Sequence, residues 1–160
     1  MSPVPTPAQT VLALAGEDIP RLRAVIGRLS RRLRPTAAGT AAGLTPTRVS
    51  VLLHVVRAGS VRLSELAESE GINPTMLSRV VSDLGEAGLL QRVSDDRDRR
   101  TAWVKATAAG KRLAERMRRE RTDALNVALG ELSASERAKL ERALPALEAL
   151  AEALKARPRP

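Results

Sequence analysis

The sequence contains no cysteine, no phenylalanine, no tyrosine, one tryptophan and one histidine. The absence of cysteine excludes disulfides, a thiol nucleophile, a thiol redox sensor and any cysteine-ligated metal. The single histidine, His54, leaves too few imidazoles for most histidine-built metal sites and catalytic triads. The shortage of aromatic side chains also leaves little with which to stack the bases of single-stranded nucleic acid.

Long hydrophobic runs are missing as well. The strongly apolar stretch near the start, Val11 to Ala15, is too short to cross a bilayer and lacks the basic flank of a secretory signal. We therefore expect a cytoplasmic, nucleoid-associated protein with no membrane partner.

Positive charge is plentiful. The 160 residues include 27 Lys and Arg against 18 Asp and Glu, a net charge of +9, and the isoelectric point is about 11.3. Such a balance indicates a polyanionic partner, most simply nucleic acid. An arginine-rich composition inherited from a GC-rich genome would give the same numbers, and composition alone does not separate the two explanations.

Proline and helix-capping residues divide the chain. We expect residues 1–17 and 156–160 to be tails, the first of them flexible. Asp18 is expected to cap a helix that Pro35 ends, and the Gly-, Ala- and Thr-rich residues 36–44 are expected to form a loop.

The central part of the chain reads as short elements in a defined order. Thr45 and Pro46 are a strong helix start, and Asn73 with Pro74 is another. The expected elements, in order, are a helix from 46 to about 58, a short β-like stretch at 61–63, a helix over 64–70, a helix from 74 to about 87, and two strands, 89–93 and 101–106, around a charged hairpin.

Two long helices are predicted to finish the chain. The first begins near Thr107. The second begins at Ser133, where Glu136 three residues later completes a capping box.

This order of elements predicts a mainly α fold with a small β-wing (α+β). Two helices that meet at Gly71–Pro74 form a helix-turn-helix, and the hairpin after the second helix makes it a winged one. We therefore assign residues 44–106 to a winged helix-turn-helix DNA-binding domain. One helix of such a domain fits the major groove, and a basic hairpin reaches the backbone or the minor groove beside it.

Several motifs in this region resemble those of the MarR family of bacterial transcriptional regulators. The resemblance extends over about residues 19–154, and Arg62 departs from it, because the family often has a threonine cap there. The motifs, in chain order, are Leu63–Ala67, Thr75–Val81, Leu84–Leu90, Asp95–Arg100 and Val104–Gly110.

The resemblance implies an obligate homodimer in which the terminal helices, residues 18–35 and 107–155, form a helical dimerisation lobe. The leucine stripe of these helices is longer than a DNA-binding lobe could cover, which points the same way. The alternative is a monomer whose terminal helices fold back on their own lobe. The candidate dimerisation residues are Leu22, Ile26, Leu140, Leu144, Leu147, Leu150 and Leu154.

The helix that begins at Pro74 is the candidate recognition helix. Its apolar residues Leu77, Val80, Val81 and Leu84 are expected to face the core. Its candidate DNA-contacting residues are Pro74, Thr75, Met76, Ser78, Arg79 and Ser82. Because Arg79 is the only base between 64 and 88, Arg48, Arg92 and the wing must supply most of the attraction for DNA. The alternative is an ordinary solvated helix surface.

The hairpin carries Arg97, Asp98, Arg99 and Arg100. The resemblance implies that a wing arginine enters the minor groove while Asp98 orders the hairpin. A solvated turn in which these acids and bases pair with one another is the alternative, and such surface pairs contribute only about 0–1 kcal/mol.

The hypothesis from sequence is a homodimeric transcriptional repressor that binds a roughly palindromic duplex DNA operator. We expect no enzymatic activity, cofactor or metal, because the chain lacks the residues for a catalytic site. The resemblance implies a small anionic or phenolic effector, for which Arg23 and Arg48 are available cations. The alternatives are a sequence-independent architectural DNA-binding protein and a helical adaptor that binds protein.

Overall fold

The computed structural model describes residues 16–94 and 102–155, and the expected tails and hairpin tip lie largely outside these ranges. The chain divides into two compact units, Met1–Pro35 and Thr36–Pro160, the first of which contains α1. The elements are α1 (Asp18–Leu33), α2 (Ala37–Ala41), α3 (Pro46–Ala58), β1 (Ser60–Arg62), α4 (Leu63–Glu70), α5 (Pro74–Glu86), β2 (Leu90–Ser94), β3 (Ala102–Ala106), α6 (Ala108–Gly130) and α7 (Ala134–Lys155).

The three strands form one antiparallel sheet in the order β1-β3-β2. Strand β3 pairs with β1 through Val61 and Val104, and with β2 from Leu90 opposite Ala106 to Ser94 opposite Ala102. The β2–β3 ribbon and its position after α5 confirm the predicted winged arrangement.

The turn between α4 and α5 is built by local signals. Gly71 ends α4 with a φ of 66°, a left-handed conformation that glycine adopts without steric cost. The Asn73 side chain then accepts a 2.8 Å hydrogen bond from the Met76 N–H, and Pro74 is the first helical residue. The predicted start of α5 is thereby confirmed.

The predicted inward stripe of α5 is also confirmed, because all four of its apolar residues are buried. Helix α3 buries several residues. Val51, Leu52 and Val55 are fully buried and Val49 is nearly so, whereas Leu53 and Val56 are only half-buried. Helix α3 contacts α4, α5, α6 and the sheet. Its buried residues therefore cover a wider arc of the helix surface than those of a helix that packs on one side only.

Two predictions near the N-terminus were wrong. Residues 36–44 are not a loop throughout, because Ala37–Ala41 form α2. The Thr36 hydroxyl caps this helix, and the Glu120 carboxylate accepts 3.1 and 3.2 Å hydrogen bonds from the Ala38 N–H. Asp18 is not the cap of α1 either: Glu17 occupies that position, and Asp18 instead pairs with Arg21 at 3.2 Å.

Arg62, the departure from the family pattern, stands at the N-cap of α4 and makes no side-chain capping hydrogen bond. Its guanidinium lies over the Trp103 ring, 5.1 Å from the ring centroid. The side chain therefore bridges β1 to β3 by a cation–π contact.

Both long helices begin where the sequence predicted. Thr107 caps α6, and at the start of α7 Ser133 and Glu136 form the reciprocal bonds of a capping box. The first half of α6 packs into the lobe, whereas no described side chain of α7 is fully buried. Among the described residues, no helix has the length and apolar character needed to span a bilayer.

Candidate nucleic-acid interface

The residues predicted to contact DNA on α5 share one surface. Pro74, Thr75, Ser78, Arg79 and Ser82 line a shallow groove, and we call this surface the α5 outer face. Met76 is 49% exposed at the same end of the helix as Pro74. The structure therefore brings together five of the six candidate residues on this helix, because the opposite stripe is buried, whereas Met76 is exposed but does not line the groove.

Arg92 of β2 joins this surface. Its Nη2 atom donates hydrogen bonds to the Ser78 carbonyl oxygen at 3.2 Å, the Ser78 hydroxyl at 3.0 Å and the Ser82 hydroxyl at 3.2 Å. The α5 outer face therefore has two cations, Arg79 and Arg92, beside hydroxyl groups.

The sequence indicated Arg92 as a source of positive charge but not as a part of this surface. A usable signal was the alternation along β2. Leu90 is buried, and Arg92 stands opposite the buried Val104, so Arg92 occupies a core-facing position of the strand. At the margin of the core, that direction brings a long side chain toward α5.

Arg48 of α3 is placed differently from the sequence expectation. Its Nη2 atom forms a salt bridge with the Asp83 carboxylate of α5, and the two side chains are 34% and 32% exposed. The guanidinium is thus held beside α5 by an acid, and its charge is partly balanced before any DNA is present.

The first turn of α5 adds a further electropositive element. The helix dipole places partial positive charge at the start of α5, where the Thr75 backbone N–H has no partner within the helix, while Pro74 has no N–H and the Met76 N–H is capped by Asn73. No carboxylate belongs to this first turn. An anionic oxygen at this end would therefore meet favourable partial charge.

The wing candidates Arg97, Asp98, Arg99 and Arg100 lie outside the described residues. The strands on either side of them are described and remain paired as far as Ser94 and Ala102. Strand β2 ends one residue later and β3 begins one residue later than the sequence predicted.

The candidate dimerisation residues lie on two helices that belong to different units. On α7, Leu144 is 53% exposed and Leu154 is 58% exposed; Leu140 and Leu147 are also exposed, and Leu150 is half-buried. On α1, Ile26 is exposed and Leu22 is half-buried. Each helix leaves an apolar face open to solvent in a single chain.

A second groove lies against the first half of α6. Its apolar residues include Ala42, Leu89 and Leu113, and its cations include Lys111, Arg112 and Arg116. Glu115 also lines this groove and pairs with Arg119 at 3.3 Å. Apolar surface beside several cations suits a small organic anion.

A helix-turn-helix, a following β-ribbon and an exposed polar helix face together define a winged helix-turn-helix protein. Residues 44–102 match the MarR family. These residues therefore form a MarR-type domain within the chain. The expectation that it is not an enzyme agrees with this, since the family and the named relatives are regulators.

The chain is similar over most of its length to proteins named as transcriptional regulators. It is 29% identical over 131 residues to the HTH-type transcriptional regulator Mb0904 of Mycobacterium bovis, covering 82% of this chain and 90% of that protein. A transcriptional regulator from Pseudomonas aeruginosa has a similar crystal structure, with a TM-score of 0.70, 29% identity, and coverage of 86% of this chain and 99% of that one.

Two further structures of the same fold hold bound molecules. A point mutant of MepR from S. aureus is bound to an oligodeoxyribonucleotide, with a TM-score of 0.62, 15% identity, and coverage of 80% of this chain and 93% of that one. NadR is in complex with 4-hydroxyphenylacetate, with a TM-score of 0.59, 22% identity, and coverage of 91% of this chain and 97% of that one.

Proposed function

We propose that this chain is a homodimeric repressor that binds a roughly palindromic duplex DNA operator. The observation that carries the proposal is the α5 outer face, which is exposed, polar and supplied with the cations of Arg79 and Arg92. A helix of this kind has the right diameter for the major groove. The oligonucleotide bound to MepR, a protein of the same fold, supports DNA binding by a chain of this fold.

Each residue of this surface has a definite role in the proposal. The Arg79 guanidinium forms a bidentate contact with a guanine, and Met76 touches a thymine methyl group. Pro74 and Thr75 place the positive end of α5 against a phosphate. The hydroxyls of Thr75, Ser78 and Ser82 donate to phosphate or base acceptors.

The wing completes the proposed contact. Arg97, Arg99 and Arg100 reach the minor groove, where a narrow A/T-rich segment attracts them most strongly. Asp98 holds the hairpin in shape. In the chain this segment lies between Ser94 of β2 and Ala102 of β3, which pair with each other.

The homodimer is supported by the exposed leucines of α7 and the exposed apolar face of α1. In the proposal a second copy of the chain covers both faces, so that residues 18–35 and 107–155 form the dimerisation lobe. Two-fold symmetry then presents two α5 helices about 34 Å apart, one for each half-site of the operator.

A small anionic or phenolic effector is part of the proposal. NadR, which binds 4-hydroxyphenylacetate, supports this class of ligand, and the groove with Lys111, Arg112 and Arg116 supplies cations for a carboxylate. Arg23 is a further candidate. Arg48 is less available to an effector than the sequence suggested, because its guanidinium already forms a salt bridge with Asp83. Such a ligand weakens DNA binding only by its preference for the form that does not fit the operator.

The test is selection of bound fragments from the source genome, followed by competition with unrelated DNA. A regulator prefers its operator by about 10³-fold or more. A ratio near one would indicate an architectural DNA-binding protein instead. Affinity that does not fall with salt would indicate an adaptor that binds protein, because phosphate contacts always make binding salt-dependent.

A further inference from the structure

We infer that Arg92, Ser78 and Ser82 form a clamp for one phosphate of the DNA backbone, at the junction of α5 and the β2–β3 ribbon. This inference rests on the proposed function and adds a binding site and its ligand to it. The three side chains are already in contact, through hydrogen bonds of 3.0 and 3.2 Å from Arg92 to the two serine hydroxyls.

The guanidinium has donors to spare. Its contacts with α5 all use Nη2, whereas an arginine has five N–H donors in a planar fork. The Nη1 and Nε donors have no hydrogen bond to any residue in 16–94 or 102–155, and no carboxylate there lies within 4 Å of the guanidinium. Arg92 is exposed, so these donors are open to an incoming acceptor.

The hydroxyl groups of Ser78 and Ser82 act as acceptors toward Arg92, so each still has its hydrogen to donate. Arginine cannot accept a hydrogen bond, so both serine oxygens act as acceptors toward Arg92. Neither hydroxyl donates to a group in the described part of the chain, although Thr122 in α6 shows the alternative by donating to the Arg118 carbonyl at 3.1 Å. The hydrogens of Ser78 and Ser82 are therefore available, together with the guanidinium, to a single anionic oxygen group.

The neighbouring charge favours an anion. The closest acid in the sequence, Asp83, follows Ser82 directly but is paired with Arg48 of α3. Its negative charge is therefore compensated on the side of α3. A cation with two hydroxyl donors and no competing carboxylate is the set of groups that binds phosphate.

The position of the clamp indicates a backbone phosphate rather than a base edge. Ser78 and Ser82 belong to the helix proposed to enter the major groove, and Arg92 belongs to the ribbon that leads to the minor-groove wing. The sugar-phosphate backbone separates these two grooves. A donor set between the helix and the ribbon therefore faces the backbone itself.

The experiment measures how the affinity of the full chain for duplex DNA depends on salt, with Arg92→Gln and Arg92→Lys variants. Each phosphate contact contributes about 0.9 to the slope of log affinity against log salt. Arg92→Gln should lower this slope by about 2 for two protomers on one operator. It should lower the affinity for the selected operator and for an unrelated duplex by the same factor, about tenfold or more. Arg92→Lys should keep the slope but lose affinity, because an ammonium lacks the planar fork.

A charge-matched control and a second variant make the result decisive. Arg57→Gln removes the same charge from the exposed end of α3 and should change the slope much less. The double substitution Ser78→Ala and Ser82→Ala retains Arg92, so it should lower the affinity for both duplexes without changing the slope. It should also reduce the effect of Arg92→Gln when the substitutions are combined.

Each contrary outcome has a distinct meaning. If the wild-type chain binds no duplex, the proposed function fails and the clamp fails with it. If the wild type binds but Arg92→Gln leaves the slope unchanged, Arg92 only braces β2 against α5 and the clamp is refuted while the function stands. If Arg92→Gln loses its preference at one base pair, Arg92 contacts a base and the clamp is refuted. Unchanged affinity in the serine double variant would also refute the clamp.

Discussion

The guanidinium of Arg48 in α3 forms a salt bridge with the carboxylate of Asp83 in α5. This pair links the proposed recognition helix to the helix that supports it. Both side chains are about one-third exposed, so solvent screens the pair and its contribution to stability is modest. Its larger effect is electrostatic, because it determines how much of the Arg48 charge is available to DNA.

Asp83→Asn should therefore strengthen binding to unrelated DNA at low salt while slightly lowering the melting temperature. The substitution removes a negative charge beside the α5 outer face and frees Arg48 to meet phosphate. The loss of stability should be about 0–1 kcal/mol. Binding isotherms at several salt concentrations and thermal unfolding measure the two effects. Glu86→Gln, the same charge change on an exposed residue of α5, is the control; an equal gain in that variant would exclude a specific role for Arg48.

Arg79→Ala should weaken binding to the selected operator more than binding to unrelated duplex. A bidentate contact with a guanine contributes about 1–3 kcal/mol of discrimination, whereas loss of a phosphate contact would weaken both alike. Competition assays with single base-pair variants of the operator would locate the affected position. An unaltered operator preference would show that Arg79 does not read a base.

Replacing Leu144 and Leu147 with glutamate should convert the proposed dimer to a monomer. Both leucines are exposed in the single chain, so the changes cost little within the chain and a great deal at a buried interface. Sedimentation velocity measures the oligomeric state. The affinity for the operator should also fall, because a monomer binds only one half-site. Arg142→Ala is the control, since it lies on the opposite side of α7 from Leu144 by helical geometry. A dimer that survives the double glutamate change would place the interface elsewhere.

Two glycines should respond to alanine in opposite directions. At Gly110, a Cβ would collide with the Leu89 carbonyl oxygen and approach Leu52 Cδ1 to 3.3 Å. Gly110→Ala should therefore lower the free energy of unfolding by about 1–3 kcal/mol or more. At Gly85 in α5 the nearest atom, the Leu90 carbonyl oxygen, is 3.8 Å away, so Gly85→Ala should stabilise the protein by about 0.5–1 kcal/mol. Urea unfolding of the two variants tests both signs.

The capping box of α7 should give a small pH dependence to stability. Hydrogen bonds to the Glu136 carboxylate, first from the Ser133 hydroxyl and then from its backbone N–H, lower the pKa of this carboxyl from its ordinary value of 4.5. Because the folded pKa is the lower one, the stabilisation is present above about pH 4.5 and is lost as the pH falls through the folded pKa. Glu136→Gln should therefore lower the melting temperature near pH 7, and the difference from wild type should shrink in acid. Glu148→Gln, an exposed change elsewhere on α7, should show no such trend.

The α5 outer face was largely predictable from the sequence, whereas its full set of contacts was not. Asn73 and Pro74 mark the helix start through bonds that span three residues, and the buried stripe follows from the helical repeat. Arg92 joins the surface from another element, through bonds that span 10 and 14 residues. The alternation of β2 indicated the direction of its side chain, but not that Ser78 and Ser82 lie within its reach.

The sequence by itself determined where α3, α5, α6 and α7 begin and which stripe of α5 is buried, because caps and hydrophobic periodicity act over one or two helical turns. Only the tertiary structure decided that residues 37–41 are helical, that Arg48 is paired and that Arg92 lies on α5. Glu120, whose carboxylate accepts hydrogen bonds from the first turn of α2, is 82 residues from Ala38, and Asp83 is 35 residues from Arg48. Contacts over such separations depend on how the elements pack, and no local pattern specifies them.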